Sequence, residues 1–260
     1  NNVLHAKWLL DLIAEFPPEV YFCVSTDKAA NPVNIMGASK RIMEDIIFMY
    51  SDKFPVKTAR FANVAFSNGS LPAGFLARLQ KLQPLSAPLD IKRYFVSPEE
   101  SGQICMLSCM LGDNREIFFP KLEVAQMMTF DKIATALLKE YGYEVLHCNS
   151  DQEAIAKAEE LKQGSKLYPV YYSNSNTSGE KAYEEFYTDA ESVDMGRFKA
   201  LGIVTNKCLP DKNEIDLLLE RLNIAFERDD ITKGEIISII KMYLPSFDHI
   251  ETGRSLDSKM

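Results

Sequence analysis

Asp27 and Lys28 stand side by side in the run VYFCVSTDKAANPVNIMGASK (residues 20–40), with Ser25 and Thr26 just before them and Lys40 beyond a turn. A carboxyl next to an amine, with a second amine nearby, is the set that paired proton transfers need. The same dipeptide also occurs as a solvated turn, so its position matters. VYFCV is a short apolar run rich in β-branched and aromatic residues, which predicts a strand buried on both faces, as in a parallel sheet. Ser25 to Lys28 then fall at the C-terminal end of that strand, where open α/β sheets place their ligands. Asn31-Pro32 breaks the chain, and RIMEDIIFMYSD carries apolar residues at helical spacing, which puts Lys40 in the first turns of a helix.

The 260 residues suffice for one large domain or two, and their net charge of −8, without a dense Lys/Arg block, argues against a nucleic-acid or anionic-membrane surface. Cysteines 23, 105, 109, 148 and 208 are odd in number and form no Cys-x-x-Cys, which predicts buried thiols in a reducing, cytoplasmic setting. With no histidine near Cys105 and Cys109, no metal site is expected. No apolar run reaches the ~18 residues of a membrane span.

The order Ser-Thr-Asp-Lys-Ala followed by Met36-x-x-x-Lys40 resembles the active-site segment of the extended short-chain dehydrogenase/reductase family, which usually has Ser/Thr and then Tyr-x-x-x-Lys. It is closest to the polysaccharide-biosynthesis UDP-N-acetylglucosamine 4,6-dehydratase branch, many of whose members carry Thr-Asp-Lys-Ala and methionine in place of the tyrosine. Arg60-Phe61-Ala62-Asn63-Val64 resembles that family's Arg-Phe-Gly-Asn-Val, and Ser67-Asn68-Gly69-Ser70 extends the match. The resemblance implies a Rossmann-like parallel sheet, a smaller mixed α/β substrate-binding region and a helical C-terminus. The expected division is residues 1–120 for the later part of the nucleotide-binding domain and 121–260 for the rest. No Gly-x-Gly-x-x-Gly cluster occurs in the chain, so an N-terminal part carrying the pyrophosphate loop is expected to be missing, and the 260 residues alone are expected to hold NAD or NADP poorly and to be inactive.

By the same resemblance the activity is dehydration of a UDP-N-acetylhexosamine to a UDP-4-keto-6-deoxy sugar, with a C4 epimerase or reductase, or a silent nucleotide-sugar binding protein, as the alternatives. Asp27 is then the acid for O6, Lys28 the base for H5, Lys40 the residue for O4 and the cofactor ribose, and Thr26 a hydrogen-bond partner of O4. Met36 cannot exchange a proton at neutral pH. Ser25, Lys40 and Asn2 are the expected cofactor contacts, although Asn2 equally suits a helix cap. Asn63, Ser70 and Arg93 are the expected substrate contacts. Turn geometry alone also explains Ser70, and a salt bridge also explains Arg93.

The remaining elements support this centre. The opening helix carries Val3, Leu4, Trp8, Leu9, Leu12, Ile13 and Phe16 as an apolar stripe ended by Pro17-Pro18. This helix and the one after Lys40, with Ile42, Met43, Ile46, Ile47 and Tyr50, are expected to pair two copies into a homo-oligomer. VKTARFANV and EIFFPKL read as strands, and SNSNTSGE as a loop. NEIDLLLERLNIAFER reads as a helix, and a further helix follows with Asp229 or Asp230 as its N-cap. The polar tail from Phe247 is expected to order on a partner.

Overall fold

The computed structural model describes residues 1–162, 164–174, 184–205 and 208–249. Most of the expected SNSNTSGE loop and all but the first residues of the polar tail lie outside them. The chain opens on α1 (Leu4–Glu15), β1 (Tyr21–Thr26), a single 3-10 turn over Asp27–Ala29, α2 (Ile35–Phe48) and β2 (Val56–Phe61). Next come β3 (Asn63–Val64), α3 (Leu71–Gln80), β4 (Leu85–Pro88), β5 (Lys92–Arg93), β6 (Phe95–Val96), α4 (Pro98–Leu111) and β7 (Glu116–Pro120). The second half holds β8 (Met128–Thr129), α5 (Phe130–Glu140), β9 (Glu144–Cys148), α6 (Asp151–Glu159), β10 (Leu167–Ser173), β11 (Ser192–Asp194), β12 (Leu201–Thr205), α7 (Lys212–Phe226) and α8 (Lys233–Tyr243).

The main sheet runs β1-β2-β7-β12-β11, with β1, β2 and β7 parallel and β12 antiparallel to both of its neighbours. Residues on both sides of position 120 therefore share one sheet. Alternation sorts its side chains: Val56, Ile117, Phe119 and Val204 join the core on the α2 side, whereas Ala59, Phe61, Phe118 and Ile203 pack with Ile104 of α4. A second, all-parallel sheet, β4-β10-β9, builds a smaller core with Phe75 and Leu79 of α3 and Ala134 and Leu138 of α5.

Four expectations need correction. β1 is an edge of the main sheet, paired only with β2 among the described residues, and Val24 is 42% exposed. Tyr21 and Cys23 pack on the α2 side and Phe22 on the α4 side, so both faces carry contacts although one edge is open among the described residues. The broad apolar face of α2 is not a surface for a second copy: Ile46 and Ile47 are fully buried, because α2 lies between the sheet and a layer containing Leu218, Leu222 and Ile240 of α7 and α8. In α1 the stripe splits, Val3, Leu4 and Ile13 packing on the core while Trp8, Leu9, Leu12 and Phe16 stay exposed, and the fully buried residue is Leu10. The N-cap of α8 is Thr232, in a capping box with Glu235, while Asp230 pairs with Arg228 at 2.9 Å.

Candidate active site

The 3-10 turn after β1 carries Asp27 and Lys28 out of the sheet at its C-terminal edge. Asp27 is 3% exposed. Its Oδ1 accepts the Thr26 hydroxyl at 2.7 Å and the Lys28 ammonium at 3.0 Å, and Oδ2 lies 3.2 Å from the same ammonium. The sequence-expected acid and base are therefore one ion pair, and Thr26 turns its hydroxyl to Asp27. α2 begins against this turn with Asn34 as its N-cap, the Asn34 side chain accepting the Gly37 N–H at 2.8 Å. Gly37 permits the approach, because a Cβ there would lie 2.5 Å from the Lys28 carbonyl oxygen.

Met36 and Lys40, four residues apart, share one face of α2. Met36 is 46% exposed. Lys40 donates to the Val24 carbonyl at 3.1 Å and leans on the Met43 sulfur at 3.8 Å. Asn2 does not cap α1; its amide donates to the Ser39 hydroxyl at 3.0 Å, which in turn donates to the Met36 carbonyl at 2.8 Å. The chain start is thereby tied to the first turn of α2.

Beneath the turn lies a buried ionic network. The parallel register sets Ser25 beside Arg60, and both reach Glu44 of α2. Ser25 donates to Glu44 Oε1 at 2.6 Å, while Arg60 forks onto the same carboxylate at 3.0 and 2.8 Å. Arg60 also holds Glu191 through two contacts of 2.8 Å and the Phe186 carbonyl at 2.9 Å. Ser25 is thus a buried structural contact, not a group facing a cofactor. Arg60 is fully buried and its partners come from α2 and from the segment before β11, which makes it a clamp on that segment.

The clamp delivers a residue the sequence reading passed over. Glu184 accepts the Tyr94 N–H at 2.7 Å and the Asn63 amide, and the Arg93 Nε lies 3.9 Å from its Oε1. Asn63 also donates to the Tyr94 carbonyl at 3.1 Å, and Arg93 to the Lys92 carbonyl at 2.9 Å. The two side chains expected on a substrate diphosphate are therefore gathered round a protein carboxylate, with Arg93 only 6% exposed. Burial, and then the Asp27 carboxylate, push Glu184 up to about 7, while the Tyr94 N–H, Lys28 and Arg93 act in the opposite sense. Ser70 stands apart. Its hydroxyl caps α3 and it lines a cavity of about 240 Å³ with Asn68, Arg78 and Ser86. The nearest signal in the sequence was the acidic pair Glu184-Glu185 after a turn-forming stretch, and nothing local tied it to Asp27. Among the described residues no cluster of His, Cys, Asp and Glu suits a metal, and no helix is long and apolar enough to cross a membrane.

A family model described as "Polysaccharide biosynthesis protein" matches residues 1–204. The chain is similar to the capsular polysaccharide biosynthesis protein CapD of Staphylococcus aureus, 25% identical over 237 residues that cover 90% of this chain and 36% of that protein. It is also similar to UDP-N-acetylglucosamine 4,6-dehydratase (inverting) of Campylobacter jejuni, 23% identical over 204 residues, 75% of this chain and 56% of that one. Among solved structures, dTDP-glucose 4,6-dehydratase from Bacillus anthracis in complex with NAD matches with a TM-score of 0.51 and 14% identity over 72% of this chain and 59% of that one. UDP-glucose 4-epimerase from Thermotoga maritima with UDP-glucose gives 0.53 and 17% over 73% and 61%. At these identities the likeness to the structures is one of fold. The chain spans between about a third and just over half of the length of these curated relatives.

Proposed function

The chain belongs to the polysaccharide biosynthesis protein family, and on that premise we propose that it carries the proton-transfer centre of a nucleotide-sugar-modifying enzyme, specifically a 4,6-dehydratase acting on UDP-N-acetylglucosamine or a close UDP-N-acetylhexosamine. The observation that carries the reading is the ion pair between the buried Asp27 and the partly exposed Lys28 at the C-terminal edge of a parallel sheet. Elimination of water across C5 and C6 of a 4-keto sugar needs a base for H5 and an acid for O6. An Asp–Lys pair with one proton between its members becomes that acid and that base when the proton moves from Lys28 Nζ to Asp27.

NAD or NADP, when bound, would take hydride from C4 and return it to C6. Of the residues expected to hold it, Lys40 fits: its ammonium sits on the Val24 carbonyl beside the exposed Met36 and retains donor capacity toward a ribose or O4 hydroxyl. Ser25 does not fit, since its hydroxyl is buried on Glu44. Asn2 fits as a brace of the first turn of α2. Thr26 holds the Asp27 carboxylate in place. Lys28 takes H5, and Asp27 passes its proton to O6 as water leaves. Met36 contributes shape and no proton, so deprotonation of O4 falls to Lys40, which must act as the neutral amine, directly or through a water that takes the proton.

Two variants test the assignment in the active enzyme. Asp27→Asn keeps size and most hydrogen bonding but cannot protonate O6. With UDP-N-acetylglucosamine it should exchange H5 with deuterated solvent through the Lys28 that has lost its proton to solvent, while water loss, followed by mass spectrometry, falls by roughly 10²–10⁴-fold. Lys28→Met should lose both exchange and water loss. Near wild-type turnover by Asp27→Asn sinks the dehydratase reading, and inversion at C4 without water loss would favour the epimerase alternative.

A further inference from the structure

Phe66 sits where its backbone disfavours it. The turn Val64-Ala65-Phe66-Ser67 closes with the Ser67 N–H donating to the Val64 carbonyl at 3.2 Å, and its third residue has a φ of 56°. That conformation suits glycine or asparagine, whereas a bulky aromatic residue is strained in it. Burial offsets little of this, since Phe66 is 48% exposed. The turn is held from both sides, the Ala65 N–H donating to the Val96 carbonyl at 2.8 Å and the Ser70 N–H to the Ser67 carbonyl at 3.0 Å. The strained residue is therefore fixed in place, with its ring turned to solvent. Two further non-glycine positions among the described residues have positive φ, Leu82 at 52° and Arg115 at 69°. Each has a local reason. Leu82 ends α3, where the Gln83 N–H turns back to the Arg78 carbonyl at 2.9 Å, and Arg115 enters β7 with its N–H on the Val56 carbonyl at 2.8 Å. Both precede strands and so lie at the N-terminal edges of their sheets. Phe66 instead follows β2 and β3, at the edge where α/β sheets take ligands. The register of Thr26 with Phe61 brings the chain out beside the turn that carries Asp27 and Lys28.

We propose that Phe66 is a specificity-determining residue of the site, its ring packing against the C–H face of the hexose of a nucleotide sugar. The inference deepens the reading of the chain as a nucleotide-sugar enzyme and rests on it. Of the parts of such a substrate, the hexose is the one that must lie at Asp27 and Lys28, because the base stands two phosphates away from the reacting carbons. A pyranose presents several C–H groups on one face, and a phenyl ring covers them with apolar surface and the negative face of its π-system. Such a contact needs no hydrogen-bond partner and leaves the sugar hydroxyls to polar groups. Glycine, which the turn itself favours, has no ring to offer, so the contact accounts for an aromatic residue held in strain.

The experiment is calorimetric titration of the active enzyme loaded with reduced cofactor, which cannot take hydride from C4, so that UDP-N-acetylglucosamine binds without reacting. UDP and UDP-N-acetylglucosamine are each titrated into wild type, Phe66→Gly and Phe66→Tyr. The wild type should prefer the sugar nucleotide to UDP. Phe66→Gly should lose about tenfold of that preference while binding UDP as the wild type does, and Phe66→Tyr, which keeps the ring, should keep the preference. The guanidinium midpoint of Phe66→Gly should be no lower than that of the wild type, because glycine relieves the turn. A Phe66→Gly variant that keeps the full preference overturns the proposal. An equal loss of affinity for both ligands overturns it too, since the turn would then act through its shape, and so does a Phe66→Tyr variant that loses the preference. A lower midpoint for Phe66→Gly overturns it by making Phe66 a packing residue. A wild type that binds neither ligand sinks the parent reading and this inference with it, whereas one that binds both without preference overturns the inference alone.

Discussion

Glu191→Gln isolates the clamp beneath the site, because it removes one charge while leaving Arg60 paired with Glu44. Glu191 accepts two Arg60 contacts at 2.8 Å, the Thr188 N–H at 2.9 Å and Arg41 at 3.1 Å. Burial by itself would raise its pKa, but the Arg60 hydrogen bonds and charge outweigh burial and bring it down to about 2, from an ordinary 4.5. A carboxylate with a depressed folded-state pKa adds stability that is complete above the unfolded-state value and is lost as pH falls toward the folded-state one. At about 1.4 kcal/mol per pKa unit, the difference corresponds to roughly 3 kcal/mol at pH 7, shrinking to about half of that by pH 3. Glutamine cannot titrate, so the gap between wild type and variant should follow this curve. Guanidinium unfolding of both proteins at pH 7, 5 and 3 measures it. A gap below about 0.5 kcal/mol at pH 7, or one that does not change with pH, would refute the argument that Glu191 works as a desolvated anion on Arg60.

Gly37→Ala adds a Cβ 2.5 Å from the Lys28 carbonyl, so the turn or α2 must shift. Despite the better helix propensity of alanine, we expect a loss of about 1–3 kcal/mol in denaturant unfolding, together with slower H5 exchange, because the displaced residue is the proposed base. In α1, Leu10→Ala should cost about 2–4 kcal/mol, whereas Leu12→Ala, at an exposed position of the same helix, should stay within about 0.5 kcal/mol. Equal losses at the two positions by the same unfolding assay would show that α1 is covered on its outer face.

Local pattern alone determined the parts of this protein whose physics is local. The short runs VKTARF and EIFFP placed β2 and β7, helical spacing placed α2 and α7, and the break at Asn31-Pro32 put Asp27, Lys28 and Lys40 around one strand end. What the sequence left undetermined depends on which distant segments share a neighbourhood. The apolar richness of VYFCV is the same for an edge strand as for a central one, and only the strand order made β1 an edge. The apolar face of Ile46 and Ile47 reads identically whether α7 and α8 or a second copy covers it, and the fold chose the helices. Arg60 looked like one motif residue among five, yet its charge is neutralised by Glu44 and Glu191, which no spacing rule connects to it. Glu184 was illegible for the same reason. A carboxylate in a polar stretch signals solvent, and Glu184 is buried on Asn63 and Tyr94 only because Arg60 holds the segment that follows it.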